Sequence, residues 1–122
     1  MKKTISYLKF MYFYLKGVIR FRTKDYNTAL LFFEKASKNF QEETNELFYQ
    51  YYGQTLLALE QIDESFYYLS KSYEIYNKKD WKVSDDEEYR LAMNTLDALK
   101  YLDDTHNIKI DNDLYNKQIS RE

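Results

Sequence analysis

The chain contains only two glycines, Gly17 and Gly53, and they stand 36 residues apart in matching surroundings. At the same offset Phe13 pairs with Tyr49, Phe21 with Leu57, Tyr26 with Ile62, Phe33 with Leu69 and Phe40 with Tyr76. Ala29 pairs with Ser65, and Ala36 with Ser72. Bulky falls on bulky and small on small. A duplication of this period marks stacked helix pairs, in which each pair buries its apolar face against its neighbour. The pattern predicts an all-α chain with two helical hairpins.

Composition agrees. At 122 residues the chain is one domain with room for its own core. Two glycines and no proline leave few breakers, so long helices joined by short polar turns are expected, not a turn-rich β fold. Fourteen tyrosines and eight phenylalanines supply much of the core. The absence of cysteine excludes disulfides, thiolate metal sites and a cysteine nucleophile, and fits a cytoplasmic location. Lys9 and Lys16 interrupt the apolar stretch from Ile5 to Phe21, and no small-residue cleavage site follows. Neither a secretory signal nor a membrane span is expected.

Apolar spacing predicts helices over 5–22, 26–39, 45–60, 64–77 and 84–102. The single domain, 1–122, thus divides into hairpins at about 7–40 and 45–77, a fifth capping helix at 84–103, and a weak helix or tail at 105–122. Asp25, Thr44 and Asp63 are the expected N-caps, and Ser84 with Glu87 forms a capping box.

The repeated unit resembles the tetratricopeptide repeat, a helix–turn–helix module of about 34 residues. Phe13 with Gly17 and Ala29 with Phe33 fit its pattern in the first unit; Tyr49 with Gly53 and Ser65 with Leu69 fit in the second. Lys16 and Tyr52 stand where that family usually has leucine, Arg20 and Leu56 where it has tyrosine, and no proline closes either unit. Residues 12–78 look most like the repeat blocks of Rap-type peptide receptors of bacteria and phages. The resembling stretches are Leu15 to Gly17, Phe21 to Asn27, Ala29 to Ala36 and Tyr73 to Tyr76. Those receptors are several times longer, so the likeness is to a shortened form. It implies a non-enzymatic regulator or adaptor that binds a protein or peptide and acts in signalling by sequestering its partner.

The resemblance also implies a concave binding face lined by the first helix of each unit. Its positions here are Tyr14, Val18, Phe21 and Arg22, then Gln50, Gln54 and Leu57. Arg90 and Asn94 join them if the fifth helix keeps the 36-residue register. Arg22 with the two glutamines would clamp a peptide backbone or carboxylate. The alternative is that the glutamines only keep an exposed face soluble.

No constellation for catalysis stands out. His106 is the only histidine and falls in an expected polar turn, so no transition-metal set and no cofactor is predicted. The serines lack a nucleophile elbow, and there is no glycine-rich phosphate loop. The acidic runs at 42–46, 85–88 and 103–104 read as helix-start charges or solvated surface. Asp111 and Asp113 lack the glycine and glutamate of a calcium loop.

Charge is lopsided. Residues 1–24 carry +7 and no acid, and the remainder carries −9, for a net charge of −2. Lys2, Lys9, Lys16 and Arg20 form one stripe of the first helix. Its default reading is a solvated edge; the next is contact with an acidic protein. A nucleic-acid-associated regulator using this stripe is the rival function, disfavoured by a pI near 5.5. The rest of that helix is so apolar that homodimerisation is a further expectation, since short stacks need their ends covered.

Overall fold

The computed structural model describes residues 2–39, 46–78 and 86–106. Five helices follow in order: α1 (Lys2–Arg22), α2 (Tyr26–Ser37), α3 (Glu46–Ala58), α4 (Ile62–Lys78) and α5 (Asp86–His106). No strand occurs among the described residues. α1 packs on α2 and α3 on α4 as two hairpins, α3 rests against both helices of the first hairpin, and α5 closes on α4. The all-α stack of paired helices expected from the duplication is the fold observed.

The duplication is repeated in the backbone. α1 ends with Lys24 at φ 65° and α3 with Glu60 at φ 61°. The Asp25 amide donates to the Arg20 carbonyl at 2.9 Å and the Lys24 amide to Phe21 at 3.0 Å. Thirty-six residues on, the Gln61 amide donates to Leu56 at 2.9 Å and Glu60 to Leu57 at 3.0 Å. This pair of bonds is the Schellman closure, which satisfies two orphan carbonyls and normally places glycine at the left-handed residue. Here lysine and glutamate fill it, and each bears the Cβ clash that glycine avoids.

Helix starts are less symmetric. Asp25 caps α2, accepting from the Thr28 amide at 3.3 Å. α4 begins at Ile62, so Asp63 falls inside its first turn and not at the cap. The residue in Asp25's place is Gln61, whose carbonyl accepts from the Ser65 amide at 3.0 Å. Asp63 and Glu64 instead oppose the positive end of the helix dipole. α5 runs through His106, past the turn expected near residue 103, because no glycine or proline stops it. Thr44, Ser84, Trp81 and the segment 107–122 lie outside the described residues.

Each hairpin closes where its glycine sits. A Cβ on Gly17 would lie 2.6 Å from Phe33 Cε1, and one on Gly53 would lie 2.7 Å from Leu69 Cγ and 3.0 Å from the Leu69 amide nitrogen. Phe33 and Leu69 are fully buried, as are the small partners Ala29 and Ser65. In the second hairpin the small residues also act as donors: Ser65 Oγ to the Gly53 carbonyl and Ser72 Oγ to the Glu46 carbonyl, both at 2.8 Å.

Phe48 joins the hairpins. Its ring meets Phe10 at 5.1 Å, Tyr52 at 5.6 Å, Tyr14 at 6.2 Å and Phe33 at 6.3 Å, mostly edge to face, the favoured geometry for aromatic pairs. A second cluster of Leu69, Tyr73, Tyr76, Leu96, Leu99 and Leu102 holds α5. Gln50, buried in α3, links the three later helices: it accepts from the Tyr76 hydroxyl at 3.1 Å and donates to the Leu91 carbonyl at 3.4 Å.

Two stability outcomes follow. Gly53→Ala is expected to destabilise by ~1–3 kcal/mol from overpacking, although alanine alone would favour the helix by about 1 kcal/mol. Urea denaturation showing stabilisation would mean the helices are not pressed together there. Lys24→Gly and Glu60→Gly should each stabilise by roughly 0.5–1 kcal/mol, because they relieve the left-handed residue at some entropic cost. A loss of stability at both sites in the same assay would contradict the closure described.

Candidate functional site

α1 has two unlike sides. Phe10, Tyr14, Gly17 and Val18 face the core. On the opposite side Ile5, Leu8, Tyr12, Leu15 and Ile19 are each 52–61% exposed. Of nine large apolar side chains exposed among the described residues, six lie on α1, counting Tyr7. The apolar surface is therefore concentrated, unlike the scattered residues that need no explanation.

The five-residue ridge alternates steps of three and four, which is the heptad spacing of a helix-pairing seam. At 100° per residue it spans about 80° of the circumference, narrower than the ≳100° stripe of a helix packed on a globular core. Sequence patterning marks the cationic stripe and an apolar remainder of α1; the ridge is the part of that remainder that the fold leaves exposed.

Lys9, Lys16 and Arg20 stand exposed along one edge of the ridge, and Lys2 is the first residue of α1. The Lys16 ammonium lies 5.4 Å from the Tyr12 ring centre. Arg20 approaches Asp25 at 4.0 Å, a surface pair of small energetic weight. Beside the ridge, between the start of α1 and the end of α2, is an open groove of about 520 Å³. Ile5, Leu8, Tyr12 and Phe13 form its floor; Lys9, Lys35, Lys38 and Asn39 form its rim. Lys35 sits over Phe13 at 5.8 Å and Phe32 at 6.0 Å. Among the described residues no carboxylate lines this groove.

The residues assigned to a concave face are divided by the structure. Tyr14 and Val18 are buried, Tyr14 against Phe48 and Tyr51 of α3. Gln50 is buried and hydrogen-bonded to α4 and α5. Phe21 is half-buried between Tyr26 and Tyr51. Leu57 packs at the α5 cluster and lines a second groove of about 550 Å³ with Ile62, Ala98, Tyr101 and the acids Glu60 and Asp97. Arg22, Arg90 and Asn94 are exposed, and Gln54 is half-buried. What remains open on that side is polar and sparse.

α5 shows one local parallel to α3. Thr55 and Thr95 each donate to the carbonyl four residues back, at 2.7 and 3.1 Å, and Leu56 and Leu96 next to them are fully buried. That match is a spacing of 40 residues and not 36. At this spacing Arg90 and Asn94 correspond to Gln50 and Gln54.

Among the described residues no group of three or more His, Cys, Asp or Glu side chains could hold a metal ion. None of their helices is long and apolar enough to cross a membrane. No family model, curated protein or solved structure matches the chain.

Burial pushes the Tyr14 and Tyr52 hydroxyls well above the ordinary tyrosine range; the neighbouring Tyr51 adds to the effect at Tyr14 and Tyr68 at Tyr52. Tyr52 and Tyr68 stack with ring centres 4.3 Å apart. A raised value means the folded state holds its proton more tightly than the unfolded chain. The contribution to stability is full below the unfolded tyrosine pKa of about 10 and is lost as pH rises towards the folded value. Unfolding free energy measured in urea should fall once pH passes about 10. A flat profile through that range would mean these rings are open to solvent.

Proposed function

We propose that this chain is a protein-binding module without chemistry of its own, which acts by holding and sequestering a partner. The observation that carries the reading is the concentration of exposed apolar side chains on α1, at the open end of a helix stack. Helix-hairpin stacks present extended surfaces, and the terminal pair needs its outer face covered. The likeness of residues 12–78 to Rap-type repeat blocks supports a regulatory or adaptor role of bacterial or phage type in the cytoplasm. The inner side offers Arg22, Gln54, Arg90 and Asn94 as polar contacts, consistent with a minor share in binding.

The experiment is affinity purification of the tagged chain from its native cell at natural abundance, followed by light scattering. The expected result is a stoichiometric complex with a second protein. Recovery of the chain alone would contradict the reading. A shift of duplex DNA at low salt, lost on replacing Lys9 and Lys16 by glutamate, would establish the rival nucleic-acid role instead.

A further inference from the structure

We propose that the ridge Ile5-Leu8-Tyr12-Leu15-Ile19, with the groove beside it, is the docking seam for one acidic amphipathic helix of another protein. The inference rests on the binding-module reading and names the surface and the chemistry of its occupant.

Width and spacing select a helix. Steps of three and four residues present knobs to one facing helix, and the narrow ridge matches a single seam. A bilayer would favour a broad apolar face with cations along both edges. Here the cations are uneven: Lys9, Lys16 and Arg20 line one edge, Arg22 alone flanks the other near the end of α1, and the neighbouring groove is concave. Nucleic acid phosphates would use the cations and leave the ridge uncovered.

Charge selects the partner. The lysines at the groove rim, Lys9, Lys35 and Lys38, face no carboxylate among the described residues lining it. A second copy paired ridge to ridge does not supply one; its acids Glu60 and Asp97 line the separate groove beside α5, and a head-to-tail dimer through them is an outcome the test reads. In an antiparallel pairing of two ridges, Lys9 and Lys16 of one copy would meet the same lysines of the other. In a parallel pairing they would meet Met11 and Val18, which carry no charge. A helix with leucine-like residues on its seam and glutamate or aspartate along the flank answers both features. The ridge exposes roughly 500 Å², so covering it buries ~1,000 Å² over both partners, at the small end of specific interfaces. Micromolar binding is the expected strength.

The test uses the full chain and a synthetic 21-residue helix with leucine at its seam positions and glutamate on both flanks, where like charges prevent it from pairing with itself. A control peptide carries lysine on the flanks. Calorimetry should show the glutamate peptide binding at least tenfold tighter than the control. The double variant Lys9→Glu/Lys16→Glu should reverse that preference. Leu8→Ser/Leu15→Ser should weaken binding at least tenfold, with the helical circular dichroism kept and Tm lowered by only a few degrees, because both side chains are mostly exposed and the main loss is helix propensity. The charge-reversed variant decides the matter if the serine variant misfolds.

The seam is overturned if neither peptide binds, or if binding ignores both variants. It is overturned equally if the wild type is a dimer that Leu8→Ser/Leu15→Ser dissociates, or if anionic phospholipid vesicles bind the ridge and the glutamate peptide does not. The two proposals separate cleanly. A cellular complex that survives Leu8→Ser/Leu15→Ser sinks the seam and spares the module. Peptide binding without any cellular partner does the reverse.

Discussion

The structure depends on two places where helices approach too closely for a methyl group. At Gly17 the Phe33 ring occupies the space a Cβ would need, and at Gly53 the branch of Leu69 does. Both contacts lie 36 residues apart, and both are completed by a small residue on the second helix, Ala29 or Ser65. Close crossing aligns the helices of each pair along their length, so that Phe48 can reach Phe10, Tyr14, Phe33 and Tyr52 at once. The interior of packed helices tolerates little change in volume, so the pairing geometry is set by these sites and not by the loops.

Stacking has a direction, and direction creates an uncovered end. α3 covers the inner side of α1, and α5 covers α4. Nothing among the described residues covers the outer side of α1, where five apolar side chains stand in heptad spacing. The charge asymmetry read from the sequence falls on this same helix. Apolar ridge, flanking lysines and groove are thus one surface, made by the position of α1 in the stack.

Fold class was legible because a duplication writes its geometry twice: glycines, small partners and bulky fillers all recur at one offset. Even the closures at Lys24 and Glu60 repeat, although neither residue signals a left-handed turn. Boundaries were less legible. Asp63 looks like a cap, but the register of the repeat gives that place to Gln61. α5 continues to His106 because weak helix formers such as Asp104 and Thr105 do not terminate a helix that Leu99 and Leu102 anchor. The concave set was drawn from the family's positions and assumes side chains that leave the first helices bare. In this chain Tyr14 and Val18 are large enough to fill the seam with α3, and Gln50 is taken up by Tyr76 and α5. The sequence shows α1 to be apolar around most of its circumference, but which of those side chains stay exposed is decided by where α2 and α3 pack, and only the fold displays that.

The absence of native cysteine allows one direct measurement. Cysteine is introduced singly along α1 and its alkylation rate is read in the folded chain. The account predicts fast labelling at positions 5, 8, 12, 15 and 19 and protection at 10, 14 and 18, a profile with the period of the helix. Uniform labelling along α1, or protection of the five ridge positions, would contradict it.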